Sequence, residues 1–289
     1  MQILDGKKVS EKIVEDLTRE VFLIKKNIER IPRLDVILVG DDFGSIKYVN
    51  MKEKKAVEVG IDVKVHHLDE KTETEEVTKL IKSLNDDETV DGIMVQLPLP
   101  DQIDTNVVLE TISPEKDVDG LTPTNLGKLF QGDKSAIAPA TPIGIMELFK
   151  YYNINLSSKN VVLLGASEIV GKPLIAMLLN DHATVTVCNS YTKNAPDVCR
   201  QADILVSAVG IPLYVNKDFI KKDCIVIDVG SNKHPQTGQL VGDVDVEDVV
   251  DIVSYITPVP GGVGPMTIAS LLLNLMHCYH GRQGNRRFN

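Results

Sequence analysis

The chain has 289 residues, of which 43% are hydrophobic and 25% are charged, with 31 Lys and Arg against 41 Asp and Glu. This length predicts two domains, and the average composition excludes a disordered chain. The net charge of −10 argues against a nucleic-acid-binding protein, which would need a broad basic face.

Helix-like and strand-like segments alternate along the first half of the chain, which is typical of an α/β fold with a largely parallel sheet. Apolar residues at helical spacing predict a first helix over 9–30, and the apolar run LDVILVG at 34–40 predicts a buried strand. The next predicted elements are helix 45–58, strand 61–67, helix 73–85 and strand 91–96.

A region rich in Gly, Pro and Asp at 114–142 interrupts this alternation and predicts a loop-rich domain junction. The pattern then resumes, and a final helix is predicted over 267–280, after a turn-rich stretch at 255–267. The elements predicted between these two regions are helix 143–152 and strands 160–164, 184–188, 203–207 and 224–228.

Neither a membrane segment nor a signal peptide is predicted. The longest apolar-rich stretch, 266–278, is shorter than the roughly 20 residues that a spanning helix needs, and the N-terminus has no apolar core. The histidines form no HExxH motif, so we expect no metal site. The cysteines show no CxxC pair and predict buried, reduced thiols in a cytoplasmic protein: Cys188, Cys199, Cys224 and Cys278.

A glycine-containing turn, GASEIVGKP at 165–173, follows a predicted strand and precedes an apolar helix. Gly165 allows a tight turn, Gly171 allows helix and strand to pack closely, and free N–H groups at the helix start suit a pyrophosphate. Ser167 replaces the middle glycine of the usual fingerprint, so a flavodoxin-like sheet without a dinucleotide is the alternative. Two later strands end in turns that favour dinucleotide binding, SAVG at 207–210 and DVGSN at 228–232.

The end of the second strand of this half bears on the choice of cofactor. An NAD site usually carries Asp or Glu there, whereas this chain has the neutral Asn189 and Ser190, with Lys193 nearby. This composition tolerates a 2′-phosphate and favours NADP. Because no arginine is present to clamp the phosphate, NAD stays open as the alternative.

Tyr48 and Lys52 lie four residues apart and share one face of a predicted helix. In short-chain dehydrogenases a Tyr-x-x-x-Lys pair follows the nucleotide loop, whereas here it precedes Gly165, and this order excludes that class. Taken alone, the pair is more simply explained as the exposed face of a charged helix.

Two further segments place polar groups where ligands bind in α/β proteins. Gln96 in VQLPLP (95–100) ends a buried strand at its carboxyl end. Asp117 and Asp119 lie beside a glycine in KDVDG; one of them can cap a turn, and a carboxylate at a domain junction can also accept paired N–H donors from a heterocycle. The Pro- and Gly-rich loop at 257–267 suits close backbone contact with a flat ligand.

Together these segments resemble the bifunctional methylenetetrahydrofolate dehydrogenase/cyclohydrolase family. The resemblance covers nearly the whole chain in the family's order: ILDGK, YVNMK, VQLPLP, PEKDVDG, ATPIGIMELF, GASEIVGKP, VIDVG and ITPVPGGVGPMT. It implies two α/β domains that flank a cleft, and a homodimer. The implied domains are a folate-binding catalytic domain over 1–140, completed by a C-terminal helix at 268–289, and a Rossmann-type NAD(P)-binding domain over 141–267.

The resemblance also implies the activity. The family oxidises 5,10-methylenetetrahydrofolate to the methenyl form with NADP⁺ and hydrolyses that product to 10-formyltetrahydrofolate, in one-carbon metabolism that supports purine, methionine and histidine biosynthesis. A dehydrogenase that lacks the hydrolytic step, with NAD as its cofactor, is one alternative. A folate- or nucleotide-binding regulator without turnover is another.

By the family's pattern, Lys52 is the acid/base group, Tyr48 shapes the folate pocket, Gln96 hydrogen-bonds Lys52, and Asp119 holds the pterin ring. Further substrate contacts are implied for Leu97, Pro260, Gly261 and Gly262. Cofactor contacts are implied for Gly165, Ala166, Ser167, Val170, Asn189, Ser190 and Ser231. Many members carry Arg where Ala166 stands, which leaves the choice between NADP and NAD open.

Overall fold

The structure is a computed structural model that describes residues 1–27 and 30–282. Its strands are β1 (Gln2–Ile3), β2 (Arg33–Val39), β3 (Asp62–Leu68), β4 (Gly92–Val95), β5 (Asn160–Leu164), β6 (Thr184–Cys188), β7 (Ile204–Ser207), β8 (Ile225–Asp228), β9 (Asn232–Lys233), β10 (Leu240–Val241) and β11 (Tyr255–Ile256). Its α-helices are α1 (Gly6–Lys26), α2 (Phe43–Val59), α3 (Thr74–Asp86), α4 (Thr105–Thr111), α5 (Pro123–Phe130), α6 (Ala140–Tyr151), α7 (Gly171–Asn180), α8 (Ala195–Cys199), α9 (Val246–Val249) and α10 (Val263–Arg282).

Most predicted elements are confirmed within a few residues, but the region predicted as loop at 114–142 contains a helix, α5. Thr122 caps this helix by accepting a hydrogen bond from the Asn125 N–H, and Pro123 occupies its first turn. The last helix also begins before its predicted start at 267. Pro265 lies in its first turn, where the missing N–H is not needed.

The described chain divides into two compact units. The six-stranded unit contains residues 1–11 and 139–269, and the three-stranded unit contains residues 12–138 and the chain from 270 onward. Residues 1–11 are predicted to belong to the catalytic domain, but β1 pairs in parallel with β11, which groups these residues with the six-stranded unit.

The three-stranded unit is built on a parallel sheet of order β3-β2-β4. The central strand β2 is buried on both faces, as its continuous apolar run predicts. One face packs under α10, whose Leu271, Leu275 and Tyr279 belong to the same core as Val36. The last helix therefore contributes to this unit; of the predicted segment 268–289, residues 283–289 lie outside the described residues.

The six-stranded unit has an all-parallel sheet of order β1-β11-β8-β7-β5-β6, and β9 and β10 form a separate antiparallel ribbon. Counted from β5, the order is 2-1-3-4-5, a doubly wound arrangement with its switch point between β5 and β7. The register aligns the last residues of four strands at one sheet edge: Leu164, Cys188, Ser207 and Asp228. The predicted fold class, two α/β domains of which the second is of the doubly wound nucleotide-binding type, is confirmed; the cleft stays a prediction.

No helix in the described part of the chain is long and apolar enough to cross a membrane. Residues 1–27 and 30–282 contain no group of three or more His, Cys, Asp or Glu side chains that could hold a metal ion. The four cysteines are buried free thiols, as predicted. Burial raises the pKa of Cys199 and of Cys224 to about 12.

Candidate active site

Helix α2 positions Tyr48 and Lys52 in the three-stranded unit. The Asp42 carboxylate caps its start by accepting a hydrogen bond from the Ser45 N–H at 2.7 Å. Lys52 is only 8% exposed. The interpretation of Tyr48 and Lys52 as an exposed charged face is therefore wrong for the lysine, which points into the protein.

The Lys52 ammonium meets three side chains. It donates to Gln96 Oε1 at 3.3 Å and to Met94 Sδ at 3.2 Å, and it lies 4.5 Å from the centre of the Tyr48 ring. The Gln96 amide is oriented in turn by a 2.6 Å hydrogen bond from its Nε2 to the Leu97 carbonyl. The structure thus brings together Tyr48, Lys52, Gln96 and Leu97, and it contains the Gln96–Lys52 hydrogen bond that the resemblance implies.

Met94 is a member of this group that the sequence analysis missed. It is fully buried on β4 and lies two residues before Gln96, which directly follows the strand, so both side chains emerge on the same face. The two-residue spacing in the sequence indicates that Met94 and Gln96 share a face of the strand. An apolar residue in a buried strand, however, gives no reason to expect a contact with a charged nitrogen.

The electrostatic environment shifts the pKa values of Lys52 and Asp119 toward neutrality. Burial lowers the pKa of Lys52, against the opposing attraction of Asp119. Burial also raises the pKa of Asp119 to about 6, with a further rise from Asp117 and an opposing effect of Lys52. A lysine that releases its proton more easily and a carboxyl that holds its proton more tightly are suited to acid–base chemistry.

The structure distinguishes the two aspartates of KDVDG. Asp117 is buried and accepts hydrogen bonds from the Thr122 N–H at 2.8 Å and from Asn125 Nδ2 at 3.0 Å, so it is the one that organises the turn. Within the described residues, the Asp119 carboxylate has no hydrogen-bond partner, and its oxygens are available to a ligand.

In the six-stranded unit, the turn after β5 has the geometry that a pyrophosphate needs. Gly165 adopts a φ of 114°, and a Cβ at this position would collide with the Ala208 carbonyl. A Cβ on Gly171 would lie 2.7 Å from the Ala166 Cα. These positions accept only glycine, and they let the loop backbone approach a pyrophosphate closely, so the residues present fit a dinucleotide. The free N–H groups predicted at the helix start are not found, because those of Lys172 and Leu174 donate to the Ser167 and Val170 carbonyls.

The other residues predicted to contact the cofactor follow strands of the same sheet: Ala166, Ser167, Val170, Asn189, Ser190 and Ser231. Ser167 accepts a 3.4 Å hydrogen bond from the Gly171 N–H at the start of α7. The Asn189 side chain accepts a 2.9 Å hydrogen bond from the Tyr191 N–H and so shapes the turn after β6. Part of the Asn189 side chain is therefore occupied by its own loop.

Asp243 is a second residue that the sequence analysis missed. It is fully buried, and its carboxylate joins the end of β7 and the loop after it to the start of β9. It accepts hydrogen bonds from Ser207 Oγ at 3.2 Å, the Val209 N–H at 2.8 Å, the Gly210 N–H at 3.3 Å and Asn232 Nδ2 at 2.9 Å. These contacts fix the loops at the carboxyl edge of the sheet.

Asp228 extends this arrangement from the end of β8. Its carboxylate accepts hydrogen bonds from the backbone N–H groups of Gly230, Asp243 and Val244 at 2.9, 2.9 and 3.0 Å. Burial nevertheless raises its pKa to about 6. Both aspartates therefore hold loops in place at this edge of the sheet.

The loop that carries Pro260, Gly261 and Gly262 follows β11 and belongs to the six-stranded unit. The Gly261 carbonyl accepts a 3.0 Å hydrogen bond from the Lys7 N–H, which ties this loop to the start of α1. The structure therefore places these predicted substrate contacts in a different unit from Lys52 and Asp119.

Two family models match the chain. The model of the tetrahydrofolate dehydrogenase/cyclohydrolase catalytic domain matches residues 4–119, and that of the NAD(P)-binding domain matches residues 139–283. The chain belongs to this family. Its resemblance to the tetrahydrofolate dehydrogenase/cyclohydrolases, read from motifs, is thereby confirmed.

Relatives in this family match over nearly their whole length. The bifunctional protein FolD of Hydrogenobaculum sp. is 48% identical over 98% of this chain and 100% of the relative. The crystal structure of the bifunctional FolD methylenetetrahydrofolate dehydrogenase/cyclohydrolase from Campylobacter jejuni superposes with a TM-score of 0.94, at 47% identity over 97% of this chain and 99% of that one. The Trypanosoma brucei FolD, solved with NADP cofactor and inhibitor, gives a TM-score of 0.90 at 38% identity, with 98% of each chain covered.

Proposed function

We propose that this protein oxidises 5,10-methylenetetrahydrofolate to 5,10-methenyltetrahydrofolate with NADP⁺ and hydrolyses the methenyl compound to 10-formyltetrahydrofolate. The observation that carries the proposal is the buried Lys52 ammonium, held by the uncharged Gln96 and Met94 in the same unit as a hydrogen-bond-free Asp119. The similar protein from Campylobacter jejuni is named for both reactions.

In the oxidation, the residues of the three-stranded unit bind and orient the folate. The Asp119 oxygens accept hydrogen bonds from N–H donors of the pterin ring, and the Tyr48 ring forms an apolar wall beside Lys52. A hydride leaves the methylene bridge and a cationic methenyl bridge remains. The bound NADP⁺ supplies the hydride acceptor.

In the hydrolysis, Lys52 acts as the general base. Burial and the adjacent cationic substrate both favour the neutral amine, which takes a proton from water as the water oxygen attacks the bridge carbon. The remaining hydroxyl then loses its proton and becomes the formyl C=O as the bond from the bridge carbon to N5 breaks. N5 receives a proton, the formyl group stays on N10, and one proton is released overall. Gln96 keeps the Lys52 amine aimed at the bridge through its 3.3 Å hydrogen bond.

The proposal of NADP over NAD is supported by the loop after β6. Asn189 and Ser190 are exposed and neutral, so no carboxylate there repels a 2′-phosphate. The Trypanosoma brucei relative was solved with NADP. Ala166 provides no positive charge for the phosphate, so NAD is the alternative cofactor in the experiment below.

The proposal extends to the protein's setting. It acts as a cytoplasmic homodimer on tetrahydrofolate derivatives, with neither nucleic acid nor membrane as a partner, and it supplies one-carbon units for purine, methionine and histidine biosynthesis. The net charge of −10 and the four buried thiols support this setting. Sedimentation equilibrium measures the dimer directly.

The experiment mixes the purified protein with 5,10-methylenetetrahydrofolate and either NADP⁺ or NAD⁺. Reduced nicotinamide and the methenyl product are followed together by absorbance. Reduction with little methenyl accumulation is expected, faster with NADP⁺. Accumulation of the methenyl compound would instead support the dehydrogenase without hydrolysis, and no reduction with either cofactor would contradict the proposal.

A substitution at Lys52 tests its role in hydrolysis. Lys52→Met keeps a side chain of similar length but has no proton to transfer, and we expect methenyl hydrolysis to fall by about 10²- to 10⁴-fold. Lys47→Met, an exposed lysine on the same helix, is the matched control and retains hydrolysis. Full hydrolysis by Lys52→Met would remove Lys52 from the mechanism.

A further inference from the structure

Asn274 on α10 makes two hydrogen bonds to backbone that is remote in the sequence. Its side chain is 5% exposed, and its Nδ2 donates to the Val118 carbonyl at 2.8 Å and to the Ala138 carbonyl at 2.9 Å. Both hydrogens of the amide are therefore used. A single buried side chain of the last helix connects two separate segments of the three-stranded unit.

These two segments enclose the backbone of Asp119. Val118 directly precedes Asp119, and Gly120, which follows it, adopts a φ of 65° against the Ala138 backbone. A Cβ on Gly120 would lie 2.5 Å from the Ala138 carbonyl carbon, so the backbone segments at 120 and 138 are too close for any residue but glycine at 120. Asn274 thus binds the carbonyl that directly precedes Asp119 and the carbonyl of the segment packed against Gly120.

Asp119 depends on this backbone for its direction. Its carboxylate has no hydrogen-bond partner among the described residues, whereas Asp117, two positions earlier, is fixed by the Thr122 and Asn125 donors. With no hydrogen bond from the described residues to direct this side chain, the backbone of 118–120 sets where the Asp119 oxygens lie. A small rotation of the 118–120 segment would displace them.

We infer that Asn274 is a positioning residue for the Asp119 carboxylate and thereby sets the affinity for the pterin ring. This inference rests on the proposed function, in which Asp119 accepts hydrogen bonds from the folate. Lys52 and Gln96 lie on other elements, so the inference predicts an effect on folate binding with little effect on the chemical step.

The variants are Asn274→Ala, which removes both donors, and Asn274→Ser, which retains one donor in a smaller side chain and guards against a failure to fold. Displacement of a binding group by about 1 Å can reduce rates by as much as 10²-fold. We expect the KM for 5,10-methylenetetrahydrofolate to rise at least tenfold in Asn274→Ala, kcat to change less than about threefold, and the KM for NADP⁺ to stay unchanged.

The matched control is Ser270→Ala on the same helix. Ser270 is fully buried, and its hydroxyl has no hydrogen-bond partner in the described part of the chain. Its removal takes a buried hydroxyl from the same helix and breaks no hydrogen bond to the 118–120 segment. We expect the folate KM of this variant to equal that of the wild type.

A double-mutant cycle with Asp119→Asn separates positioning from general destabilisation. If Asn274 acts through Asp119, the Asn274→Ala change adds less than about twofold to the folate KM in the Asp119→Asn background. Multiplicative effects of the two changes, or an unchanged KM in Asn274→Ala and Asn274→Ser, would overturn the inference. A wild-type protein that neither binds nor oxidises the folate would overturn the proposed function as well, which distinguishes the two failures.

Discussion

The side chain of Lys52 donates to two uncharged acceptors, the amide oxygen of Gln96 and the thioether of Met94. Because neither neutralises the ammonium, burial dominates and lowers the pKa of Lys52. A carboxylate in place of the amide would reverse the balance. In Gln96→Glu we expect the pKa of Lys52 to rise, so the neutral amine forms only at higher pH. The limb of the cyclohydrolase pH profile that reports Lys52 shifts upward by about 1 to 2 pH units.

Met94→Leu is the matched control for this prediction. Leucine has nearly the volume of methionine and adds no charge, but it removes an acceptor for the ammonium. The same limb should move slightly to lower pH, opposite to Gln96→Glu. Stopped-flow measurement of methenyl hydrolysis from pH 6 to 10 compares both variants. Equal profiles in both would mean that a different group titrates.

The ionised carboxylate of Asp119, which we propose binds the pterin ring, destabilises the free protein. Its pKa rises to about 6 in the folded state from an ordinary value of 3.8, so the native protein binds more protons than the unfolded chain across that window. Its contribution to stability therefore falls as pH rises from about 4 to 6 and is lowest above that range. In Asp119→Asn we expect the free energy of unfolding at pH 8 to increase by about 1 to 2 kcal/mol, allowing for solvent screening at a half-buried group.

Urea denaturation at several pH values checks this prediction. The advantage of Asp119→Asn should shrink as pH is lowered from 6 to 4, because the wild-type carboxyl then becomes protonated in the native state. The variant should also lose folate affinity. A pH-independent difference in stability would point to altered packing instead of the buried charge.

Among the elements, α3 is closed at its C-terminus by a lysine from a distant loop. Lys116 is 1% exposed and donates to the carbonyls of Leu84, Asn85 and Asp87 at 2.9, 2.7 and 2.8 Å. A cation at this end of a helix is favoured by the helix dipole and satisfies carbonyls that lack partners within the helix. The lysine of PEKDVDG is therefore a structural residue, three positions before the proposed ligand-binding Asp119.

Loss of this cap should lower the stability of the fold without directly changing the catalysed reaction. We expect Lys116→Met to lower the free energy of unfolding by about 3 kcal/mol, because buried carbonyls lose a charged donor. Lys79→Met, the matched control, replaces an exposed lysine on α3 itself. It should change the free energy of unfolding by less than about 0.5 kcal/mol. Urea midpoints of both variants decide the matter, and equal midpoints would show that the Lys116 contacts are not needed.

The sequence predicts helices and strands that have strong local patterns. It does not predict contacts between residues that are far apart in the chain. The apolar run of β2 and the periodicity of α2 predict these elements to within a few residues. Helix α5 is short and lies in a stretch rich in Pro and Asp, so its cap residues resemble those of a turn. Asp243 reaches Val209 across 34 residues, and no local pattern announces such a contact.

The same distinction applies to the candidate site. Lys52, Gln96 and Asp119 were identified through motifs that resemble a known family, but the burial of Lys52 opposes what a charged helix face suggests. Met94 and Asn274 carry ordinary residue types for a buried strand and a helix. Their significance depends on a neighbour that only the folded chain brings close.

At the scale of the whole molecule, each unit has its own parallel sheet and its own hydrophobic core. The proposed ligands therefore have separate signatures in hydrogen exchange. A folate should slow amide exchange chiefly at 94–99 and 117–122, which contain Gln96 and Asp119. A probe without a nicotinamide ring, adenosine 2′,5′-bisphosphate, should slow exchange chiefly at 165–171 and 189–192, because bound groups protect the amides that they contact or order.

Comparison of that probe with 5′-AMP isolates the 2′-phosphate. If the neutral loop after β6 accepts the phosphate, the bisphosphate protects 189–192 at a lower concentration than 5′-AMP does. Equal concentrations would favour NAD, in keeping with the missing positive charge at Ala166. Protection by the bisphosphate at 117–122 in place of 165–171 would contradict the assignment of the dinucleotide to the six-stranded unit, since the Gly165 turn and the start of α7 would then have no ligand.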